Sequence, residues 1–197
     1  MAQASGAPAH LRTSRGTAAA SRPGERSPDR PRSPSVTLPR VKTIVQRVHK
    51  AAVRVDGETV GSIDDGLVAF VGVEVGDEPV DAHMTARKLA GLRIFPSAGD
   101  DGEDKPMDRC VLDTGGGVLV ISQFTLAGKV AKGRRPSFSR AEHPDRAEPL
   151  YLEVVRELEA RGIRVAKGRF GAHMDIEMVH DGPVTLRVET EGGVIVS

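Results

Sequence analysis

The chain has 197 residues, 39% of them hydrophobic but only 3% aromatic, with one Tyr and no Trp, so a core has to be assembled from Val, Leu, Ile and Ala. No apolar run approaches the roughly 20 residues that a membrane helix needs, and the single cysteine, Cys110, excludes an internal disulfide framework and fits a reducing cytoplasm. The formal net charge of +1 conceals an asymmetry: residues 1–40 hold seven Arg against Glu25 and Asp29, and the remainder holds 21 basic and 25 acidic residues, so any contact with nucleic acid needs a local patch rather than an overall basic field.

Residues 1–40 are rich in Ala, Ser, Pro and Arg and have no apolar periodicity. Such a composition buries too little surface to offset ordering entropy, so the segment is expected to be a disordered tail. It has no continuous apolar segment of the kind a signal peptide carries. The abrupt change at Val41 also fits translation that begins there, with the tail upstream of the true start.

From residue 41 the pattern is that of strands. Residues 42–48 mix β-branched and polar types. Ala52-Val53-Arg54-Val55 alternates and turns at Asp56-Gly57 into Glu58-Thr59-Val60, a hairpin signal. The run Leu67 to Val73 within 66–75 is short, apolar and valine-rich, as a buried central strand is. Asp77 and Pro79 read as the start of a helix that runs to about Gly91. A strand is expected at Leu92-Arg93-Ile94-Phe95, a polar surface loop over 97–109, a strand at Val111-Leu112, and another from Val118 to Leu126. A basic loop follows over 128–146, with Lys129, Lys132, Arg134, Arg135 and Arg140. Leu150, Val154, Val155 and Leu158 share one helical face in 147–161, which Gly162 ends. Three strands close the chain, at 163–167, about 172–179, and 184–190. The fold class expected is α/β, sheet-rich and α+β-like: a mixed, barrel-like sheet with two main helices in a single domain, 41–197.

Three stretches hold candidate chemistry. His180-Asp181-Gly182-Pro183-Val184-Thr185 pairs a Gly-Pro step, where a cis peptide costs only about 0.5–1 kcal/mol, with a hydroxyl on a following strand. A cis turn there would present two carbonyls beside a small ring, a rigid surface able to recognise something by shape. Ser122-Gln123-Phe124-Thr125-Leu126 ends the buried strand, where sites collect in such folds; it offers a hydroxyl, an amide and a flat apolar wall. Gly168-Arg169-Phe170-Gly171-Ala172-His173-Met174 allows close backbone approach, with Met174 a pocket or core residue and His173 a base or a solvated histidine. No Gly-x-Ser-x-Gly elbow is present, no Cys/His cluster has zinc spacing, and Thr185 has no base near it in sequence beyond His180. No metal and no cofactor is expected.

Together and in this order, these segments closely resemble the D-aminoacyl-tRNA deacylases. The likeness spans 41–190 and rests on Gln46-Arg47-Val48, Gly72-Val73, Arg93-Ile94-Phe95, Ser122-Gln123-Phe124-Thr125-Leu126, Arg135-Pro136-Ser137-Phe138, Gly168 to Met174, and Asp181-Gly182-Pro183-Val184-Thr185. The family usually carries Asn where His180 stands, and many members read Lys-Met-Asn where this chain has Lys105-Pro106-Met107-Asp108. The resemblance implies hydrolysis of the ester between a D-amino acid, or glycine, and the 3′-terminal adenosine of tRNA. It also implies a homodimer with no membrane association, in which Gly182 and Pro183 enter the partner's pocket, fix the substrate's α-amino group through their carbonyls and leave no room for an L side chain. Arg47 matches the arginine that holds this turn. Ser122, Gln123, Phe124 and Met174 match pocket residues, and Thr185 matches the threonine proposed as nucleophile. A rival family view gives the chemistry to the tRNA's terminal 2′-hydroxyl. The catalytic candidates are thus Thr185, Gln123 and Ser122, and the substrate-binding candidates Gly182, Pro183, Phe124, Met174 and Arg47. The basic cluster of 129–140 is the candidate tRNA patch. Two other functions compete: a broader hydrolase of small aminoacyl esters, and a non-catalytic protein that binds tRNA ends.

Overall fold

Strand β1 (Val41–Val55) is the spine of the sheet. It alternates buried and half-buried residues, and it changes partners halfway along. Its first half, residues 42–48, pairs antiparallel with β3 (Gly66–Gly72). Its second half, residues 51–55, pairs antiparallel with β2 (Glu58–Ile63). The turn between β1 and β2 places Asp56 at φ 52° and Gly57 at φ 81°, the pair of positive angles that a tight two-residue hairpin requires. The structure, a computed structural model, describes residues 40–98, 104–131 and 133–197. The expected tail up to residue 39 and Lys132 lie outside the described residues.

After β3 the chain runs through helix α1 (Pro79–Gly91), the hairpin β4 (Phe95–Ala98) and β5 (Asp104–Arg109), and the short helix α2 (Val111–Thr114). Strand β6 (Gly117–Ser122) then lies parallel to β3. A 3₁₀ turn (Phe124–Ala127), the basic loop and helix α3 (Pro144–Glu159) lead to β7 (Arg164–Lys167), parallel to β6. The long β8 (Asp175–Glu191) returns antiparallel along the other edge of β1, and β9 (Val194–Ile195) closes on it. The sheet order is β7-β6-β3-β1-β8-β9, with β2 also on β1.

Two apolar layers sandwich this sheet. On one face α1 and α3 pack through Ala82, Ala86, Leu89, Tyr151, Val154 and Leu158 onto Val45, Leu67, Ala69, Val118 and Val120. On the other, the sheet curls around Val48, Val53, Ile63, Val68, Leu119 and Ile121. The curl brings β2 beside β7, where a Cβ on Gly61 would lie 2.7 Å from the Lys167 carbonyl oxygen. Central parallel strands buried on both faces explain why β3 and β6 read as continuous valine-rich runs rather than alternating ones.

The expected sheet-rich architecture with two main helices is what the chain adopts, and several local expectations differ. Of the loop expected over 97–109, residues 99–103 lie outside the described residues and the rest is strand: β4 and β5 pair, and Arg93 and Ser97 both bond Asp108. Val111-Leu112 begins a helical turn instead of a strand, because the Asp113 carboxylate caps the Cys110 N–H at 2.8 Å and Gly115 ends it at φ 67°. Leu92, Arg93 and Ile94 precede the strand that begins at Phe95. The strands expected at 172–179 and 184–190 are one continuous β8. Helix α1 starts one residue after Glu78, whose N–H is held by Asp81 at 3.0 Å; Asp77 turns inward.

Candidate functional site

Strand β6 delivers Ser122 and Gln123 to the end of the sheet, where the backbone N–H of Gln123 still bonds the Val71 carbonyl at 2.7 Å. The chain then tightens into the 3₁₀ turn, because Leu126 N–H reaches back to the Gln123 carbonyl at 3.2 Å. Gly72 permits this: Gln123 O and Leu126 Cβ occupy the space that a side chain there would fill.

Beside this strand end opens a cavity of about 330 Å³. Ser122, Gln123 and Phe124 form one wall, and Val71, Tyr151 and Phe170 line much of the rest. Tyr151 is its buried floor. Its hydroxyl donates to the Val120 carbonyl at 2.9 Å, and burial pushes the phenol well above its ordinary pKa. The Gln123 amide donates to the Thr125 hydroxyl. Phe124, 59% exposed, stands edge-on to Phe138 with ring centroids 5.1 Å apart.

The basic loop begins at this rim. Lys129 and Ser137 clasp it through paired backbone bonds of 2.8 and 2.9 Å, leaving Lys129, Arg134 and Arg135 exposed. Its root is fixed by Glu74, a 1%-exposed carboxylate that receives Arg140 at 2.5 Å and Lys42 at 2.7 Å. Arg140 is therefore an anchor and not part of the free basic surface.

The second group of predicted residues lies elsewhere on the chain. The Gly182–Pro183 peptide is cis, and both residues are exposed. The ladder between β8 and β1 parts here: Val48 faces His180 and Gln46 faces Thr185, so residues 181–184 stand opposite Arg47 alone. Arg47 ties the turn down. Its Nε lies 2.7 Å from Asp181 Oδ2, its Nη2 donates to Asp181 Oδ1 at 3.2 Å, and its Nη1 donates to the Ile94 carbonyl. The Nε contact is ionic, with the N–H directed off the hydrogen-bond line. His180 donates from Nε2 to the Val184 carbonyl at 3.0 Å; the carbonyl can only accept, which fixes the tautomer. Thr185 Oγ1 accepts the Gln46 amide at 3.2 Å. Among the described residues no imidazole or carboxylate is hydrogen-bonded to the hydroxyl of Ser122 or Thr185.

The structure thus gathers Ser122, Gln123 and Phe124 at one pocket and Arg47, Gly182, Pro183 and Thr185 at a separate turn. Met174 belongs to neither. It packs over Gly168 and against the inner apolar layer, the core alternative of its sequence reading. Sequence reasoning missed Tyr151, Phe170 as a wall, and Glu142, a nearly buried carboxylate on the pocket wall that accepts the His143 N–H at 2.7 Å. Among the described residues, one cluster of three possible metal ligands stands away from both: His83 on α1 with Glu153 and Glu157 on α3. Arg156 and Arg161 already neutralise these glutamates, so the group is an ion network joining the two helices.

The sequence profile of the D-Tyr-tRNA(Tyr) deacylase family matches residues 44–189, almost the whole of this fold. The chain belongs to the D-aminoacyl-tRNA deacylase family. Relatives of this family member include a D-aminoacyl-tRNA deacylase of Halalkalibacterium halodurans, 49% identical over 151 residues that cover 77% of this chain and 100% of that one. Another, of Heliobacterium modesticaldum, is 50% identical over 78% of this chain and 99% of its own. Among solved structures, one described as c-Myc DNA unwinding element binding protein superposes with a TM-score of 0.69 at 33% identity, covering 77% of this chain and 99% of its own. A probable eukaryotic D-amino acid tRNA deacylase shares the fold at a TM-score of 0.66 and 17% identity, over 76% and 99% of the two chains. Among the described residues no helix is long and apolar enough to cross a membrane.

Proposed function

We propose that this chain hydrolyses the ester linking a D-amino acid to the 3′-terminal adenosine of tRNA, acting in the cytoplasm as a homodimer. The observation that carries the reading is the strand end Ser122-Gln123-Phe124 set in the wall of an apolar pocket whose rim runs into an exposed basic loop. The pocket suits an aminoacyl group of varied side chain, and the rim suits a phosphate backbone with a stackable base. Water adds to the ester carbonyl carbon, the bond to the ribose 3′ oxygen breaks, and that oxygen leaves with a proton. The Ser122 hydroxyl and Gln123 amide are the polar groups that meet the charge developing on the carbonyl oxygen. No base is hydrogen-bonded to Thr185, so we assign activation of the water to the neighbouring ribose 2′-hydroxyl, with Thr185 a supporting residue held by Gln46.

Handedness comes from the other group. Gly182 and Pro183 are exposed and do not line their own chain's pocket. We infer that they enter the partner's pocket, where backbone carbonyls receive the substrate's α-ammonium and block the space of an L side chain. Two enantiomers carry identical groups, so a fixed wall separates them better than side-chain affinity can. Glycine, with no side chain, passes the same wall.

Hydrolysis of D-aminoacyl-tRNA with L-aminoacyl-tRNA and a free D-amino-acid ester as controls tests the activity. Equal cleavage of the free ester supports a broad esterase, and binding without release supports a tRNA-end binder. Mixing Gln123→Ala and Gly182→Ala chains tests the subunit arrangement. If the turn acts across the interface, one site in each mixed dimer regains a sound pocket and a sound turn, and activity returns. Two inactive parents whose mixture stays inactive overturn it. Thr185→Ala should retain most activity; loss to background would make Thr185 the nucleophile.

A further inference from the structure

We propose that His180 is a positioning residue for the Gly182–Pro183 turn and thereby a determinant of the choice between D- and L-substrates. The inference rests on the reading above that this turn is the handedness gauge.

The ladder between β8 and β1 is interrupted at this turn. Four residues of β8, 181 to 184, bulge out opposite Arg47. A bulge of that length loses the backbone bonds that hold a strand in place, so side chains have to fix its shape. Arg47 does so on one side, through Asp181. On the other side, the His180 Nε2–H bond to the Val184 carbonyl at 3.0 Å joins the residue before the bulge to the last residue within it and closes it at its base. The imidazole also lies against the glycine of the turn. A Cβ built on Gly182 would come within 2.9 Å of His180 Cε1 and 3.0 Å of Nδ1, so the ring fills the space that a larger residue there would need. One side chain therefore supports the turn in two ways, by a directed hydrogen bond and by a flat face.

These contributions can be separated. His180→Phe keeps the flat face and loses the donor. His180→Gln keeps a donor of similar reach and loses the ring. Steady-state kcat and KM for D- and L-aminoacyl-tRNA would be measured for both, with thermal melting as the check on folding. The expected result for His180→Phe is a D-over-L ratio of kcat/KM lowered about three- to tenfold, the factor that one intramolecular hydrogen bond carries, with little change in melting temperature. His180→Gln is expected to stay closer to the parent. A D-over-L ratio equal to that of the parent in both variants overturns the proposal, and a fall in His180→Gln as deep as in His180→Phe assigns the support to the ring as much as to the bond. Gly182→Ala is the control: if it leaves the ratio unchanged, the gauge reading itself fails. Long-range ¹H–¹⁵N spectra of the imidazole give a readout independent of that reading. An Nε2–H tautomer is expected, and an Nδ1–H tautomer would refute the closing bond whatever the turn does.

Discussion

Gly72→Ala places a single methyl against the turn that carries Gln123. An ideal Cβ at this position lies 2.7 Å from the Gln123 carbonyl oxygen and 2.9 Å from Leu126 Cβ, where ordinary contact begins at about 3.4 Å. The turn must therefore back away by roughly 0.7 Å. The first obstacle is backbone, so no rotamer change can absorb the clash. Gly72 lies in a strand register with Lys42, which prevents β3 from giving way instead. Overpacking of this kind costs about 1–3 kcal/mol, and a displacement near 1 Å at a reacting group can cost about 100-fold in rate. We expect Gly72→Ala to lose about 1–3 kcal/mol in urea unfolding and one to two orders of magnitude in kcat/KM for D-aminoacyl-tRNA. Gly91→Ala is the matched control: open space surrounds it at the end of α1, so it should be neutral or stabilising by up to about 1 kcal/mol. If Gly72→Ala unfolds and turns over like the parent, Gln123 does not need the position seen here.

Three further predictions address the pocket's surroundings. Burial, reinforced by Asp81, Glu74 and Glu142, pushes the Asp77 carboxyl up to about 7 from 3.8, against the opposing bond from the Glu74 N–H. Its protonated form thus supports the fold fully below about pH 4, and that support is lost as pH rises through 7. Asp77→Asn should melt increasingly higher than the parent as pH goes from 5 to 8, and a constant difference would refute this. Tyr151→Phe removes a buried bond to the Val120 carbonyl, which keeps its second partner, the Gly168 N–H at 3.0 Å. A loss of about 0.5–1.5 kcal/mol in denaturant unfolding is expected, and a larger one would mean that the hydroxyl does more than bond Val120. Arg134→Ala and Arg135→Ala should each lower the slope of log affinity for tRNA against log salt by about 0.7–0.9 without changing the D-over-L ratio; an unchanged slope removes the loop from the tRNA surface.

The sequence made the sheet legible wherever one physical signal dominated. Buried parallel strands appear as unbroken valine-rich runs, and Asp56-Gly57 announces its own turn. It misled where a distant partner overrode the local pattern. Val111-Leu112 looks like strand, yet the Asp113 carboxylate folds it into a helical turn. Residues 97–109 look like loop, yet Ser97 and Arg93 gather on Asp108 and pair β4 with β5. The Gly-Pro step reads as the end of one strand and the start of another, yet Arg47 and His180 carry β8 straight through it. In the pocket wall, Ser122 and Gln123 stand out in the sequence because polar residues at the end of a buried strand are conspicuous, and Phe124 follows them directly. Tyr151 and Phe170 were not, since an aromatic on a helix face or in a glycine-rich loop signals packing just as well. That two sets of candidates would lie apart on one chain is a property of tertiary arrangement which residue order alone does not encode.

The gap in the β8–β1 ladder has one more implication. Elsewhere in this sheet, adding or deleting a residue would shift every side chain beyond it to the opposite face. Between His180 and Thr185 it need not, because residues 181–184 have no partner on β1 and pairing resumes on either side of them. That short span can therefore change in length or shape while the sheet stays in register, which, on the function proposed above, makes it the natural place to retune the choice between D- and L-substrates.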